Sequence, residues 1–325
     1  GDPDIKIGKA GVIIQQGSGL PGLDQACVDV KMLGDGSFMV HSGGADLGTG
    51  LDTVLAKIAA EVLCCDIDHV AVLSGDTDNT PFDTGAYASS GTFFTGNATL
   101  KAAEDLKKKI IDTAALITGK EAEALKLVHP GVVVPAGESD RGNDGEKVDF
   151  SDIAHYSQSG EGNGQLIGYA SFTTEDNAFP YAAHFCQVAV NTRTGAIDIQ
   201  KYFALHDSGT PVNPELTLGQ IYGGILKSIG HSLYEEMIFD DKGRLLNPEL
   251  REYGVPMIQE LPDQLEVVLI ATDDPYGPFG GKSVAEISVN GAAPVLGIAI
   301  HDAVGVWIRD WPLTPEKILK GLKKF

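Results

Sequence analysis

Apolar and polar positions alternate along the first part of the chain in a way that predicts a β-hairpin followed by a helix. In the segment 27–40, valine, methionine and phenylalanine alternate with polar residues on both sides of a Gly-Asp-Gly turn. From 51 to 62 the apolar residues recur at helical spacing and form one face. A short apolar strand at 70–73 and a second helix that opens near Asn97, a candidate N-cap, complete this unit.

The same order of elements occurs again in the C-terminal part of the chain. A second hairpin covers 185–202, and a helix with isoleucine every four residues follows at 221–229. Glycines in and beside that helix each lower its helix propensity by about 1 kcal/mol relative to alanine, and they indicate close packing. A strand at 265–270 and an apolar helix at 292–304 come next. A last helix is expected after the N-cap Thr314, with proline at its first position.

This repetition predicts a duplicated α+β fold, in which two mixed sheets are each covered by helices. The segment 119–164 is rich in charge, glycine and serine, with an acidic cluster from Glu138 to Glu146, and it is predicted to be a surface connector. We therefore expect two lobes, one over residues 1–165 with the connector at its end and one over residues 166–325.

The composition and charge of the chain exclude some classes of binding partner. The 325 residues carry a formal net charge of -21, and such an acidic protein is a poor ligand for nucleic acid or an anionic membrane. Four cysteines without disulfide or zinc spacing favour a reducing cytoplasm. Residues 1–14 contain no apolar run of signal-peptide length, and no segment reaches the roughly 18 continuous apolar residues of a membrane span. The sequence thus predicts a soluble, cytoplasmic protein.

Four loops precede helices or leave strands and are the candidates for chemistry: 41–50, 77–96, 206–220 and 277–291. A loop that leads into a helix presents unpaired backbone N–H groups, so it can hold a phosphorylated ligand without arginine. The alternative is that the glycines only make turns, and for any one loop this alternative is favoured. The chain contains neither the G-x-G-x-x-G pattern nor the P-loop pattern, so the sequence does not indicate a common nucleotide site.

Glu286 is the carboxylate that stands out as a candidate general base. It follows Gly-Gly-Lys-Ser-Val-Ala and precedes an apolar helix, so burial is expected to raise its pKa from about 4.3 toward neutrality. The favoured alternative is a glutamate that caps backbone donors.

Other polar residues carry weaker signals. The Ser89–Ser90 pair suits either a ligand or the local backbone. His41 and His206 follow strands at matching places in the two copies, and without partners at metal spacing they favour a structural role. The Cys64–Cys65 pair is expected to pack at a helix end.

Five ordered motifs resemble the molybdopterin-binding part of the xanthine dehydrogenase and aldehyde oxidase family. They are the loop 46–53, the small-residue loop 76–92, the block with Asn213–Pro214, Gly219–Gln220 and Tyr234–Glu236, the run 280–286 with its continuation at 292–294, and the tail 312–317. The resemblance covers nearly the whole chain, and five motifs in the same order are far more specific than one.

The resemblance implies that the chain helps to bind molybdopterin cytosine dinucleotide, whose molybdenum is held by the pterin and carries a sulfido or selenido ligand. It implies further that Glu286 is the general base in the hydroxylation of an electron-poor ring carbon, with oxygen derived from water. No residue of the chain is expected to bind the metal directly. The residues that match the family's cofactor contacts, with backbone N–H groups expected to dominate, are Gly48, Thr49, Gly50, Ala88, Ser89, Ser90, Gly91, Gln220, Lys282, Ser283 and Val284.

Two positions depart from the family pattern. Thr49 stands where the family has glutamine, and its shorter side chain puts a direct contact to the cofactor in doubt. Ala285 replaces the glycine before the glutamate, but a methyl group is small and Glu286 itself is in place.

The resemblance also implies partners. A larger molybdopterin subunit is expected to supply the family's first portion, and Fe-S and FAD subunits are expected because the chain has no cysteine pattern for such clusters. This division is similar to that of anaerobic bacterial nicotinate dehydrogenases, which predicts hydroxylation of nicotinate to 6-hydroxynicotinate, with selenium and NADP as candidate components. Three alternatives stay open: another substrate, either a purine or an aldehyde; a non-catalytic assembly subunit; and a cofactor-free hydrolase that uses paired carboxylates.

Overall fold

The computed structural model describes residues 2–133, 147–159, 162 and 164–324. Within them the strands are β1 (Ile5–Gln15), β2 (Ala26–Met32), β3 (Phe38–Ser42), β4 (Val70–Ser74), β5 (Lys126–Val128), β6 (Gly131–Val133), β7 (Lys147–Asp149), β8 (Ile167–Phe172), β9 (Tyr181–Asn191), β10 (Ile197–Asp207) and β11 (Leu265–Ile270). The helices are α1 (Leu51–Leu63), α2 (Gly91–Thr118), α3 (Phe150–Gln158), α4 (Pro214–Leu233), α5 (Leu250–Tyr253), α6 (Ile287–Val304) and α7 (Pro315–Gly321). The acidic cluster from Glu138 to Glu146 lies outside the described residues.

Contacts within the chain define two compact units. The first unit contains residues 17–178 and 273–283, and the second unit contains residues 1–16, 179–272 and 284–325. Each unit has a four-stranded mixed sheet with helices packed on it, which confirms the predicted α+β class and the predicted pair of sheets.

The sheet of the first unit has the strand order β4-β3-β2-β8. β2 and β3 form the predicted antiparallel hairpin, with Val30 opposite Val40, and α1 then connects β3 to the parallel strand β4. Alternate side chains of β2 are buried in one core with the apolar face of α2, including Leu106 and Ile110. Burial of this face removes apolar surface from water and thereby holds both helices on the sheet.

The sheet of the second unit repeats this plan with the order β1-β9-β10-β11. β9 and β10 form an antiparallel hairpin, and α4 connects β10 to the parallel strand β11. Ile221, Ile225 and Ile229 of α4 are fully buried in the core of this unit, as their four-residue spacing predicts.

The outer strands are exchanged between the two copies. β1 precedes the first hairpin in sequence but pairs with β9, whereas β8 precedes the second hairpin but pairs with β2. The two outer strands occupy matching places, because a Cβ added to Gly8 would lie 2.0 Å from the carbonyl oxygen of Ala299 in α6, and one added to Gly168 would lie 2.0 Å from that of Ala102 in α2. Glycine at each position lets the helix backbone pass directly over the strand.

The exchange gives a division that differs from the expected lobes 1–165 and 166–325. Residues 5–15 are bound along their length to β9, so they belong with the second unit. The alternation of side chains shows that a segment is a strand, but it does not show which distant strand it joins.

The described part of the predicted connector carries more structure than its composition indicates. β5, β6 and β7 form a small antiparallel sheet, and α3 follows directly after β7. Leu127, Val132, Phe150 and Ile153 are buried in the core of the first unit. The expectation of a plain surface connector is therefore wrong for these residues.

Several helix ends test the capping predictions. Thr314 is confirmed as the N-cap of α7, since its side chain accepts a hydrogen bond from the Lys317 amide. Asn97 is not an N-cap, because α2 begins six residues earlier at Gly91 and the side-chain Nδ2 of Asn97 donates to the carbonyl oxygens of Phe93 and Tyr276. α2 therefore starts directly after a turn in which Ala88 and Ser89 have positive φ, and not at asparagine, a typical capping residue.

α6 is the one helix of the described residues that is long and apolar enough to span a membrane by length and composition. It packs on β1, β9 and α4, and the apolar side chains of its inner face are fully buried in the second unit. This environment is that of a core helix in a globular domain.

Candidate functional site

The loop before α1 is organised by one carboxylate. Asp46 accepts hydrogen bonds from the backbone amides of Gly48 at 2.8 Å, Gly50 at 3.0 Å and Asp52 at 3.3 Å. Gly48 and Gly50 have left-handed backbone angles, with φ of 91° and 78°, so a residue with a Cβ would be strained at either position. The sequence motif is thus a loop that wraps around Asp46, a residue that the sequence analysis did not select.

The small-residue loop before α2 has a strained backbone. Ala88 and Ser89 are consecutive non-glycine residues with positive φ, 47° and 58°, a conformation that other surroundings must enforce. Ser90 follows as the residue before α2, and its hydroxyl donates to the carbonyl oxygen of Gly85 at 2.8 Å. Ser89 and Ser90 are both buried. The side chain of Ser90 therefore satisfies local backbone, which was one of the two readings left open.

The segment 273–283 completes the start of α2. The hydroxyl of Ser283 accepts a hydrogen bond from the Phe93 amide at 2.9 Å, and the Ser283 amide donates to the hydroxyl of Ser18 at 3.3 Å. The amide of Phe94 donates to the carbonyl oxygen of Ser90. Among the residues that the structure describes, the remaining two amides of the first turn, those of Gly91 and Thr92, have no hydrogen-bond partner.

Glu286 lies in the second unit, at the residue that immediately precedes α6. Its side chain makes no capping hydrogen bond, so the capping alternative is not supported. It is also exposed, so the predicted burial is wrong. Its Oε2 accepts a hydrogen bond from Nε2 of Gln16 at 2.9 Å, and Oε1 of Gln16 in turn accepts from Asn290 at 3.3 Å.

Gln220 and the start of α6 are joined through Ser288. The Ser288 hydroxyl lies 3.4 Å from the carbonyl oxygen of Gln220 and 3.1 Å from that of Ala285. Gly224 permits this approach, since a Cβ there would lie 1.9 Å from the Ser288 hydroxyl. Close packing of α4 on α6 therefore places Gln220 beside the chain that carries Glu286.

The predicted site residues divide between the two units. Within the first unit the structure brings Ser283 to the start of α2, and within the second it brings Gln220 to the turn before α6. The members in the first unit are Gly48, Thr49, Gly50, Ala88, Ser89, Ser90, Gly91, Lys282 and Ser283, and those in the second are Gln220, Val284 and Glu286. Gln16 and Asp46 were missed, because a lone glutamine or aspartate in a loop carries no sequence signal beyond its polarity.

Two of the histidines singled out by sequence have structural surroundings. Nδ1 of His41 lies 2.7 Å from the carboxylate of Asp29 on the neighbouring strand. His206 is fully buried, with its Nε2 2.9 Å from Nε2 of His184, whose Nδ1 lies 2.7 Å from the Tyr202 hydroxyl.

Burial keeps the two imidazoles of this pair neutral. It lowers the pKa of His184 to about 4, and burial together with His184 lowers the pKa of His206 to about 3. One Nε2 must donate and the other accept, and Nδ1 of His206 has no partner among the described residues. A donor role for His206 Nε2 leaves that Nδ1 as an unpaired acceptor rather than an unpaired N–H group, so this tautomer costs less.

The four cysteines are all free thiols. Cys65 is partly buried against the core of the first unit, and burial raises its pKa to about 11. Cys64 is exposed, with a left-handed φ of 53° at the end of α1, so the expected packing holds for one of the two adjacent thiols.

Residues 2–262 match the model of one protein family, described as the molybdopterin cofactor-binding domain. This match covers most of the chain. The chain belongs to the molybdopterin cofactor-binding domain family.

Relatives of this molybdopterin-binding chain agree with the match. It is 54% identical over 321 residues to the "Probable hypoxanthine oxidase XdhD" of Escherichia coli K12, covering 99% of this chain and 33% of that protein. It is 34% identical to the xanthine dehydrogenase molybdenum-binding subunit of Escherichia coli O157:H7, covering 91% of this chain and 39% of that subunit. The chain therefore spans between one third and two fifths of the length of these relatives.

The solved structures confirm the fold. The quinoline 2-oxidoreductase of Pseudomonas putida 86 superposes with a TM-score of 0.88 at 26% identity, over 99% of this chain and 42% of that one. A Cu,Mo-CO dehydrogenase superposes with a TM-score of 0.87 at 22% identity. The molybdopterin-binding chain thus has the mixed α+β fold of these enzymes.

The start of α2 fits a phosphorylated cofactor. A molybdopterin dinucleotide carries phosphate groups, and the unpaired amides of Gly91 and Thr92 at the end of a 28-residue helix are donors that suit an anion. The loop before α1 fits differently. Asp46 already occupies the Gly48 and Gly50 amides, but a Cβ at Gly48 would meet nothing within 4 Å, so this loop offers space rather than donors.

Proposed function

We propose that this chain is the part of a molybdenum hydroxylase that holds the pterin cofactor and supplies the general base Glu286, and that the enzyme oxidises a purine of the hypoxanthine type. The observation that carries the proposal is the 54% identity, over nearly the whole chain, to a protein named as a hypoxanthine oxidase. The substrate class follows from that relative, and the catalytic role of Glu286 follows from the motif that surrounds it.

The cofactor-binding residues act by shape and by backbone donors. When bound, the molybdopterin cofactor supplies the redox chemistry of hydroxylation with oxygen from water. On the protein side, the amides of Gly91 and Thr92 bind phosphate oxygens, while Ser283 fixes the first turn of α2 through the Phe93 amide. Because these donors are uncharged, an acidic protein can hold an anionic cofactor without a cluster of arginines.

Glu286 accepts the proton that the reaction releases as water becomes the hydroxylating oxygen. A general base must point at its proton donor, and Gln16 restricts the orientation of the carboxylate through the 2.9 Å hydrogen bond to Oε2. Asn290 holds Gln16 from the next turn of α6. Gln16 is therefore a positioning residue for the base.

The electrons leave for other subunits. Among the described residues no cysteine cluster is present that could bind an iron–sulfur centre, and the four thiols are dispersed. Because of the family resemblance, the proposal includes Fe-S and FAD subunits, a larger molybdopterin subunit and the cytosine dinucleotide form of the cofactor, in a cytoplasmic complex.

Nicotinate is the second candidate substrate, as the resemblance given in the sequence analysis predicts. The relatives described above are named for hypoxanthine and xanthine, so a purine takes precedence. Selenium on molybdenum and NADP as electron acceptor belong to the nicotinate alternative alone.

The test uses the complex purified with its native partners. Glu286→Gln should retain molybdenum and pterin content but lower turnover by about two or more orders of magnitude, because it removes the proton acceptor. Glu266→Gln, the same change at an exposed residue of β11, is the matched control and should keep full activity.

Each outcome decides one part of the proposal. Full activity of the Glu286→Gln complex would remove Glu286 from the reaction and favour a non-catalytic assembly subunit. Wild-type turnover should be faster with hypoxanthine than with nicotinate or an aldehyde, and the reverse order would replace the purine by that substrate.

A further inference from the structure

A cluster of three metal-ligand side chains lies at the end of α1 that is remote from the cofactor loop. Asp66, His69 and His129 each offer one ligand atom, and these three atoms lie within 4.8 Å of one another. α1 has 13 residues and so is about 20 Å long, and the loop around Asp46 lies at its other end. The cluster is thus separate from the residues assigned above to the cofactor and the base.

The three side chains come from two segments that are far apart in sequence. Asp66 precedes the short 3-10 turn Ile67–His69, and His129 lies in the turn between β5 and β6. The His69 amide donates to the carbonyl oxygen of Asp66 at 3.0 Å, which fixes the first pair relative to each other. The ring of His129 has its centroid 4.5 Å from that of His69 and 6.5 Å from that of Phe150.

In the part of the chain that the structure describes, the side chains of Asp66, His69 and His129 make no hydrogen bond and no ion pair, and the Asp66 carboxylate does not cap its turn. The two imidazole planes are inclined by 54°, so the rings are not stacked face to face. The three ligand groups therefore converge with no competing hydrogen bond from the described residues, so an ion at this point would displace only solvent.

We propose that Asp66, His69 and His129 form a surface binding site for a divalent transition metal ion, best suited to zinc. Two imidazole nitrogens and one carboxylate oxygen are a common ligand set for Zn²⁺. Zinc–ligand distances of about 2.0–2.2 Å place the ligand atoms of a tetrahedral site about 3.3–3.5 Å apart, so side chains at most 4.8 Å apart must close by about 1 Å. Exposed side chains such as Asp66 and His69 can make that movement by rotation.

The ion would act as a clamp within the first unit. It would join the turn after α1 to the small sheet, whose Leu127, Val132 and Val148 pack in the core of the first unit. A clamp of this kind stabilises the folded state because the ion binds the folded arrangement and not the unfolded chain. The site has no role in the proposed hydroxylation.

The experiment counts zinc in the native complex, prepared without a histidine tag and equilibrated with Zn²⁺ after removal of loosely bound metal. The wild-type complex should retain about one more zinc ion per chain than the His69→Ala/His129→Ala variant, because the variant keeps one ligand of three. His155→Ala changes an exposed histidine of α3 in the same unit and should retain the wild-type zinc content.

A second measurement separates loss of the site from loss of the fold. Added Zn²⁺ should raise the thermal unfolding midpoint of the wild-type and His155→Ala complexes but not that of the double variant, while molybdenum content and turnover stay the same in all three. Equal zinc content and an equal response to Zn²⁺ in the wild type and the double variant would overturn the proposal.

Discussion

At the scale of single residues, the buried histidine pair is where the protein is most sensitive to pH. His184 and His206 are fully buried, and their pKa values are lowered to about 4 and about 3 from the ordinary value of 6.5. The unfolded chain therefore binds more protons than the folded one wherever the pH lies between these limits. The contribution of these two neutral histidines to the free energy of unfolding is fully present above about pH 6.5, and it is lost as the pH falls toward 4.

The pH dependence gives a direct test. Between pH 6.5 and pH 4.5 each of the two histidines should lower the free energy of unfolding by up to about 1.4 kcal/mol per pH unit. His206→Gln should make this dependence less steep, since one titrating group is lost, whereas His155→Ala should not change it. Denaturant unfolding followed by circular dichroism at several pH values measures the slopes, and equal slopes for wild type and His206→Gln would contradict the assignment.

Site residues differ in how far sequence could identify them. The motif around Glu286 is sufficient to select it as a candidate, but its hydrogen bond comes from Gln16, which follows β1 and lies 270 positions away in sequence. Asp46 organises the loop that contains Gly48 and Gly50, but the sequence pattern indicates only the two glycines. Partners that act across such distances leave no periodic pattern in the sequence, so the sequence indicates candidate residues more readily than the residues that hold them in place.

At the scale of elements, α4 contains two adjacent glycines with opposite surroundings. A Cβ at Gly223 would meet nothing within 4 Å, whereas one at Gly224 would lie 1.9 Å from the Ser288 hydroxyl. The glycines of this helix predict close packing, and the structure shows it at Gly224 but not at Gly223. The four-residue spacing of isoleucine predicts the buried face of α4. Which glycine is needed for close packing depends on where α4 crosses α6, and the spacing does not show that position.

These two glycines form a matched pair for mutation. Gly223→Ala should stabilise the protein by about 0.5–1 kcal/mol, because alanine has the higher helix propensity. Gly224→Ala should destabilise it by about 1–3 kcal/mol through overpacking, and it should lower turnover by moving Ser288 and the start of α6. Thermal unfolding and steady-state assays measure both effects, and similar behaviour of the two variants would show that α4 and α6 are not packed closely at Ser288.

The hairpins, the crossover helices and the parallel strands could be predicted from local patterns because each pattern repeats within a few residues. The small sheet of β5, β6 and β7 could not, since its strands have three residues each and lie in a polar stretch. The start of α2 was misplaced for a related reason: its first turn is capped by Ser283, which is remote in sequence.

At the scale of the whole molecule, the exchange of outer strands means that the sheet of each unit includes one strand from the other half of the sequence. Deletion of residues 2–15 should remove β1, which pairs with one edge of β9 and is one of the strands on which α6 packs. Hydrogen–deuterium exchange should then increase in β9 and α6 but stay unchanged in α2 and β2. Ile13→Ser, at a side chain that is 83% exposed on β1, is the control and should leave all four protected. Unchanged protection of β9 after the deletion would contradict the pairing.

The exchange has a consequence for any division of the polypeptide into two pieces. A break near residue 160 would leave each fragment with a hairpin, its helices and an edge strand that completes the other fragment's sheet. Each piece would lack one outer strand of its own sheet, and mixing the two pieces would restore the native pairing through exchange of those strands. The repeat that makes the halves look self-sufficient in sequence therefore makes them obligate complements, suited to reassembly in trans.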